Sequence, residues 1–356
     1  MTRNRATDST FKDDDVTLLL TNLTGQIEPK STEERERLIQ SGTHYSEMIP
    51  EEKKPSAEYE TLFCHSLNNF SEKVASCIAA VSEKILMEKG AAVVLVSLAR
   101  AGIPIGILIK RFLKEKYGID VPHYAVSIVR GKGIDKVAMS DILAKHNGAD
   151  IQFVDGWTGK GAITRELRAA IRNSPDYSEI NSDLAVLADP AGVAAIAGTT
   201  EDFLIPSSCL NSTVCGLVSR TILNEQLIDV KAQYHGFIIY EHLRAYDRTY
   251  EFIDAVESHF EKYIDYDHPV VSGLVETQLI AKDFGIKDIN LVKPGIGEAT
   301  RVLLRRLPWK ILVKDPDDEV NIGHLIRLAY EKNVPVEVYP LLNYKAVGLI
   351  KELSDA

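Results

Sequence analysis

Residues 151–165 constrain the fold of this chain more than any other stretch. They read Ile-Gln-Phe-Val-Asp-Gly-Trp-Thr-Gly-Lys-Gly-Ala-Ile-Thr-Arg, an apolar run, a turn with three glycines and the start of a helix. A strand that passes directly into a helix is the unit of a parallel α/β sheet. The glycines allow positive φ and let N–H groups approach an anion, and the helix N-terminus adds a positive dipole end. The pattern predicts a strand over Ile151–Val154 and a phosphate-binding turn before a helix near Ala162; a tight turn without a ligand is the alternative.

The predicted turn supplies most of the candidate ligand contacts. Asp155 ends the strand, where its carboxylate can accept hydrogen bonds from a sugar diol. The stretch is not a Walker A loop, because no Lys-Ser or Lys-Thr follows the second glycine. The residues expected to surround the phosphate are Gly156, Trp157, Thr158, Gly159, Lys160, Gly161, Ala162 and Ile163.

A second strand, turn and helix are predicted within residues 91–109. Arg100 and Gly102 lie in the turn, which a parallel strand followed by a helix places at the carboxyl edge of the sheet. The run is apolar enough to suggest a membrane span, but Arg100, Gly102, Pro104 and Gly106 interrupt it and favour a buried strand and helix.

Three further segments contain candidate site residues. Arg130 and Lys132 lie in a glycine-flanked basic segment that could be a mobile cover or a solvated loop. Asp189 follows another apolar run. Ser208, Cys209 and Asn211 lie among several hydroxyl residues at the predicted start of a helix that ends near Asn224; ligand contacts or ordinary N-capping would explain them.

The segment from Lys282 to Lys314 is basic within an acidic protein. It has eight basic residues against three acids, a net of +5, whereas the whole chain has a net charge of −10. A local basic patch is typical of contacts with phosphate backbones. The segment predicts a small α-β-α unit with an RNA interface, and a solvated helix face is the alternative.

Composition sets the general class of the protein. A length of 356 residues indicates two or three domains, and 45% hydrophobic with 26% charged residues is typical of soluble globular proteins. Four cysteines without CxxC spacing predict reduced thiols. No signal peptide or membrane span is apparent, so a cytoplasmic location is expected. We expect an N-terminal extension over 1–70, a sheet domain over 71–268 and a C-terminal domain over 269–356.

Several motifs resemble known families. Val154–Arg165 resembles the ribose-phosphate loop of type I phosphoribosyltransferases, and the turn that begins at Gly295 resembles that of the Pelota superfamily. With residues 33–51 and Pro206–Arg220, the chain resembles a bacterial phosphoribosyltransferase-like family of tellurium-resistance and stress operons, which is also labelled as the cysteine protease family StiP. The resemblance implies an α/β fold, a type I phosphoribosyltransferase-like parallel sheet with flanking helices, and a C-terminal Pelota-like domain. The Pelota resemblance implies these RNA contacts: Lys293, Gly295, Gly297, Glu298, Arg301 and Arg305.

The resemblance also implies an activity. The expected function is a Mg²⁺-dependent transfer from phosphoribosyl pyrophosphate, or binding of a ribose-5-phosphate nucleotide, with a nucleobase-like acceptor near Asp189 and Ser208. Asp155 would hold the ribose and, indirectly, the Mg²⁺. Arg100 would meet the pyrophosphate within the loop formed with Ser97, Ala99, Ala101 and Gly102.

Two other functions remain open from the sequence. Gly156 stands where the transferases usually have a second acid, so a non-catalytic sensor that binds a phosphoribosyl ligand and RNA is one alternative. A cysteine protease that uses Cys209 and His235 is the other, and we rank it below the transferase. Structured RNA is an expected partner, a homodimer is possible, and no membrane partner is expected.

Overall fold

A computed structural model describes residues 8–177, 180–261 and 272–351 of the chain. The helices are α1 (Thr32–Gln40), α2 (Ala57–Lys89), α3 (Gly102–Tyr117), α4 (Lys136–Lys145), α5 (Ala162–Arg172), α6 (Pro206–Cys209), α7 (Thr249–Glu257), α8 (Gly273–Asp283), α9 (Ile296–Arg305) and α10 (Glu319–Glu331). The strands are β1 (Thr17–Leu18), β2 (Thr21–Asn22), β3 (Val94–Ala99), β4 (His123–Val129), β5 (Gly133–Ile134), β6 (Ile151–Trp157), β7 (Leu184–Ala188), β8 (Ile196–Thr199), β9 (Gly236–Phe237), β10 (Val292–Pro294), β11 (Pro308–Val313), β12 (Val336–Val338) and β13 (Ala346–Ile350).

The main sheet has the order β1-β4-β3-β6-β7-β8, and all its neighbours are parallel except β5, which adds antiparallel to β4. Strands of parallel sheets are covered on both faces and are therefore apolar throughout. β4 and β7 are buried at every position. The expected α/β fold with a parallel sheet and flanking helices is confirmed.

Two hydrophobic clusters cover the two faces of this sheet. Val94, Val96 and Leu98 of β3 pack with residues of α4 and α5, while Leu95 packs on the opposite face with α2 and α3. This alternation is the two-residue period of a strand. The turn that follows each strand is therefore held at the edge of a well-packed sheet.

The described C-terminal residues form a second sheet, β10-β13-β11-β12. α9 and α10 pack on one face through Ile296 and Ile322, and α8 packs on the other through Ile280. The unit therefore has more strands than the α-β-α pattern predicted. The predicted boundary at residue 269 lies outside the described residues, and α2 runs across the predicted boundary at residue 70.

The predicted helix from about residue 207 to Asn224 is wrong. The helix α6 ends at Cys209, and a 3-10 turn over Ser212–Val214 follows. Hydroxyl side chains compete with the helical backbone for hydrogen bonds: Ser208 Oγ donates to the carbonyl of Ile205 at 2.7 Å. Across the described ranges, the helices include none that is long and apolar enough to span a membrane.

Candidate anion-binding site

Two turns meet at the carboxyl edge of the main sheet. β3 pairs with β4 on one side and with β6 on the other, so the strand order changes direction at β3. Ligands of open α/β sheets bind at such positions. A Cβ added to Gly102 would lie 2.4 Å from the carbonyl oxygen of Val154, which shows how closely the turns pack. The structure thus brings together Ser97–Gly102 and the glycine turn after Asp155.

A pocket of about 350 Å³ opens beside the glycine turn. One wall consists of Asp155 and residues 157–164, which include most of the predicted phosphate contacts. The opposite wall belongs to the C-terminal unit, with residues 292–294, Glu298 and Arg301. Candidate residues from two separate sequence regions therefore share one pocket.

The N-terminus of α5 lies at this pocket. Gly161 precedes the helix with φ of 73°, a left-handed conformation that favours glycine, and offers no side chain as a cap. Thr164 Oγ1 is buried on the pocket wall and has no hydrogen-bond partner among the described residues. Buried hydroxyls normally have a partner. These groups favour a ligand that accepts hydrogen bonds.

Asp155 carries a strongly shifted carboxyl group. Burial raises its pKa to about 7, although a hydrogen bond from the backbone N–H of Gly156, 2.7 Å long, and the charge of Arg301 both lower it. The carboxyl therefore exchanges its proton near neutral pH.

Four cations surround the pocket: Arg130, Lys160, Lys293 and Arg301. Against Glu298 and Asp155 they leave an excess of positive charge. Burial lowers the pKa of Lys160 to about 8, helped by the neighbouring charges of Lys293 and Arg130, and burial also lowers the pKa of Lys293. An anion in the pocket would relieve this crowding of positive charge.

Trp157 and Arg301 form a contact across the pocket. The Arg301 guanidinium lies 4.9 Å from the centre of the Trp157 ring and 2.9 Å from Glu298 Oε1. Arg301 is therefore positioned by two partners, an aromatic face on the sheet domain and a carboxylate on its own helix.

Other predicted contacts of the first turn have partners of their own. Arg100 pairs with Glu52 at 3.5 Å and donates to the carbonyl of Val218 at 3.1 Å. Ser97 Oγ is buried between His123 Nε2 at 2.7 Å and the carbonyl of Gly102 at 2.9 Å. Ala101 lies on the pocket wall, and Ala99 is partly exposed. Glu52 was not predicted as a partner of Arg100, because no local sequence pattern distinguishes it.

The segment predicted as a mobile cover forms the hairpin of β4 and β5. The N–H groups of Gly131 and Gly133 donate to the Glu166 carboxylate at 2.8 and 3.0 Å. Arg130 lies on the pocket wall, whereas Lys132 is exposed.

The predicted acceptor side is closed by the C-terminal unit. Thr158 donates to Asp189, whose carboxylate also accepts from the N–H groups of Val193 and Ala194 at 2.7 and 2.8 Å. Ser208 lines a separate pocket of about 20 Å³, which has room for about one water molecule. Asn211 is half-buried.

Cys209 and His235 have different surroundings. Cys209 is 2% exposed, and its thiol lies 3.6 Å from Ser66 Oγ of α2. The ring of His235 contacts Ser127 Oγ of β4 at 2.9 Å. Burial raises the pKa of two other thiols, Cys77 and Cys215, to about 12. A thiolate nucleophile requires access and a lowered pKa.

The turn predicted to contact RNA lies against the sheet domain. The N–H of Ile296 donates to Asp202 Oδ1 at 3.0 Å, and a Cβ added to Gly297 would lie 2.9 Å from Ser208 Oγ. Gly295 is buried, and the side chain of Arg305 is outside the described residues. Asp202 was not singled out in the sequence, although an acid immediately before the apolar run Phe203–Ile205 is an available signal.

The fold and the site define this chain as an α/β protein with a basic pocket between its parallel sheet and a small C-terminal unit. Residues 9–257 match the model of a family described as tellurite-like stress resistance cysteine protease StiP, and residues 271–352 match the PELOTA RNA binding domain. The cysteine protease StiP of Acinetobacter baylyi is 36% identical over 372 positions, covering 97% of this chain and 94% of that protein. The chain belongs to the StiP family.

A solved structure shows a weaker likeness. It is a hypothetical protein from Neisseria gonorrhoeae with bound ppGpp, with 16% identity and a TM-score of 0.25 over 35% of this chain and 77% of that one. A likeness this low supports neither a fold nor a ligand.

These matches overturn the expected activity. The prediction of a phosphoribosyltransferase that uses phosphoribosyl pyrophosphate is wrong, because both the family and the relative are described as cysteine proteases. Ranking the protease below the transferase was wrong for the same reason. The tellurium-resistance and StiP assignments are confirmed.

Proposed function

We propose that this chain acts in resistance to tellurite-like stress as a sensor, in which the pocket beside α5 binds a phosphate-bearing small molecule and the C-terminal unit binds RNA. The stress role comes from the description of the family, and RNA binding from the description of the matched C-terminal model. The observation that carries the ligand is the buried Thr164 hydroxyl at the N-terminus of α5, among four cations.

The finer fold assignments belong to this proposal. The change of strand direction at β3 supports a sheet of the type I phosphoribosyltransferase kind, as a hypothesis about fold alone. The match over residues 271–352 supports a Pelota-like fold for the second sheet and its helices.

Magnesium fits the pocket as a companion of the phosphate. Mg²⁺ commonly takes one or two carboxylates and fills its remaining positions with phosphate oxygens and water. Asp155 can supply one carboxylate. No group of three His, Cys, Asp or Glu side chains that could hold a metal by itself occurs in the ranges that the structure describes.

The test is Thr164→Val, a change of nearly equal size that removes only the hydroxyl. Because this hydroxyl has no partner in the described residues, the substitution should leave the urea-unfolding free energy unchanged or raise it. It should weaken binding of inorganic pyrophosphate about tenfold in calorimetry, the value of roughly one hydrogen bond to a charged group.

Thr249→Val is the matched control. Its buried hydroxyl, in α7, donates to Asp247 Oδ1 at 2.6 Å and accepts the N–H of Gly216 at 2.9 Å, and Thr249 does not line the pocket. This variant should lose stability and bind pyrophosphate as the unchanged protein does. Equal affinities in all three proteins would mean that pyrophosphate binds away from Thr164, and no binding in any would leave the glycine turn as a tight turn without a ligand.

A cysteine protease is the second candidate, favoured by the descriptions of the family and of the relative. Of the four cysteines in the chain, Cys64 alone is partly exposed and the other three are buried. We expect iodoacetamide to label Cys64 first, as peptide mass spectrometry would show, and expect a casein-type substrate to stay intact. Casein cleavage that Cys209→Ser abolishes and Cys64→Ser retains would establish the protease instead.

A further inference from the structure

The C-terminal unit is held against the sheet domain through the turn that begins α9. Asp202 accepts the N–H of Ile296 at 3.0 Å and the N–H of Lys345 at 2.9 Å. Tyr344 donates its hydroxyl to the carbonyl of Gly159 at 2.7 Å, in the glycine turn itself. The two units therefore meet at the edge of the pocket.

The contact leaves no room for a nucleotide at this turn. Gly297 faces Ser208 so closely that even a methyl group would lie 3.1 Å from the Ser208 Cβ. Ile296 is fully buried, and Gly295 is buried beside Asp202. An RNA strand can reach the backbone of this turn only after the two units separate.

Cations of both units face the pocket of about 350 Å³ beside α5. Lys293 and Arg301 lie on the C-terminal wall, and Lys160 of the glycine turn reaches across to the carbonyls of Ile289 and Val292 at 2.6 and 3.2 Å. An anion between these walls attracts cations from both units at once. It therefore stabilises the closed arrangement, in which Lys293 and Arg301 are withheld from RNA.

We infer that the small phosphate ligand and RNA are mutually exclusive, with the ligand holding the turn Gly295–Arg301 closed against the sheet domain and RNA binding only the separated unit. The inference rests on the proposed function and adds its regulation. Because binding effects are reciprocal, RNA must also weaken binding of the phosphate ligand.

The experiment measures binding of a fluorescein-labelled, bulged RNA hairpin to the full chain by anisotropy, with and without inorganic pyrophosphate at constant ionic strength. We expect pyrophosphate at about ten times its own dissociation constant to weaken RNA binding about tenfold, as mutually exclusive binding requires. Asp202→Asn replaces an acceptor oxygen by a donor group beside the N–H groups of Ile296 and Lys345. It should raise RNA affinity severalfold and abolish the pyrophosphate effect.

Tyr344→Phe is a second, milder substitution that weakens the contact between the two units; such substitutions are called opening variants here. Tyr339→Phe is its matched control. The Tyr339 hydroxyl donates to Asp283 within the C-terminal unit, at 2.5 Å. Tyr344→Phe should raise RNA affinity, and Tyr339→Phe should leave it unchanged. Circular dichroism melts verify that each variant is folded.

The outcomes separate this inference from the proposed function. If calorimetry detects no pyrophosphate binding, the proposed ligand site is wrong, while the Asp202→Asn result still reports on closure. If pyrophosphate weakens RNA binding to Asp202→Asn as much as to the unchanged protein, the competition is direct charge screening. The inferred closure of the turn is then overturned. RNA affinity unchanged in both opening variants overturns it as well.

Discussion

Asp15 and Asp155 are the same residue type in two regions that treat a carboxylate in opposite ways. Asp15, just before β1, accepts two hydrogen bonds from Arg111, at 2.9 and 2.8 Å, and a third from Tyr250 at 2.7 Å. Asp155, at the pocket, accepts the N–H of Gly156 at 2.7 Å. The Asp15 carboxylate is therefore compensated by charged and polar partners. The Asp155 carboxylate has too few partners to compensate for its burial.

The pKa values express this difference. Burial alone would raise the pKa of Asp15, but the hydrogen bonds from Arg111 and Tyr250 outweigh it and hold the pKa below the usual value. Burial raises the pKa of Asp155 to about 7. Carboxylates that are buried without full compensation are typical of functional sites, whereas compensated ones are typical of structural contacts.

The largest effect is expected for Arg111→Met. It leaves Asp15 buried without its main partner, and breaking a buried pair in this way costs about 3–5 kcal/mol of unfolding free energy. Urea unfolding at pH 7 measures the loss. Lys114→Met is the matched control on the same helix, because Lys114 pairs with Asp120 at 3.3 Å and is 61% exposed; it should change stability by less than about 1 kcal/mol. Equal losses in both variants would contradict the comparison.

The second effect concerns Asp155→Asn, which should stabilise the protein at pH 8. Because the folded pKa of about 7 lies above the ordinary value of 3.8, the stability of the unchanged protein falls as pH rises through 7. Asp155→Asn should raise the unfolding free energy by about 2 kcal/mol at pH 8. This is roughly half of what the pKa shift implies, because Asp155 is half-buried. The gain should shrink steadily toward pH 4. If the difference in urea-unfolding free energy between the two proteins does not change with pH, burial of the charge is not its cause.

Local patterns predicted the elements that local forces determine. The apolar runs of β3 and β6 predict strands, because strands covered on both faces must be apolar. The glycines after them predict turns before helices, because left-handed turns favour glycine. The meeting of these two turns followed from parallel topology. The predicted strand Ile151–Val154 continues to Trp157, and α5 begins at Ala162 as expected.

Partners that are distant in sequence could not be predicted in the same way. The basic turn at Gly295 was expected to face RNA, yet Asp202, 94 positions earlier, binds the N–H of Ile296. A charge count shows that a segment is basic but not which surface it packs against. The RNA contacts themselves stay a prediction, as do the individual ligand contacts of the glycine turn.

The smallest expected effect is a pH dependence of sulfate binding at the pocket. Sulfate keeps its charge between pH 6 and 9, so any change in its binding over this range reports on the protein. Below pH 8 Lys160 gains a proton, and below pH 7 Asp155 does, so the pocket becomes more positive as pH falls. Each of these two changes of charge should alter the affinity for a nearby anion about threefold in a largely solvated site. We expect sulfate to bind about tenfold more tightly at pH 6 than at pH 9 in calorimetry.

Asp155→Asn divides this pH dependence into its two parts. The variant should lose the change centred near pH 7 and keep the change near pH 8 that belongs to Lys160, because only the carboxyl has been removed. Arg111→Met, at the compensated site, should shift neither part, since neither Asp15 nor Arg111 lines the pocket. Sulfate affinity that is flat with pH, or tighter at pH 9, would mean that Asp155 and Lys160 do not share a site with the anion, and the contrast between the two carboxylates would then be one of burial alone.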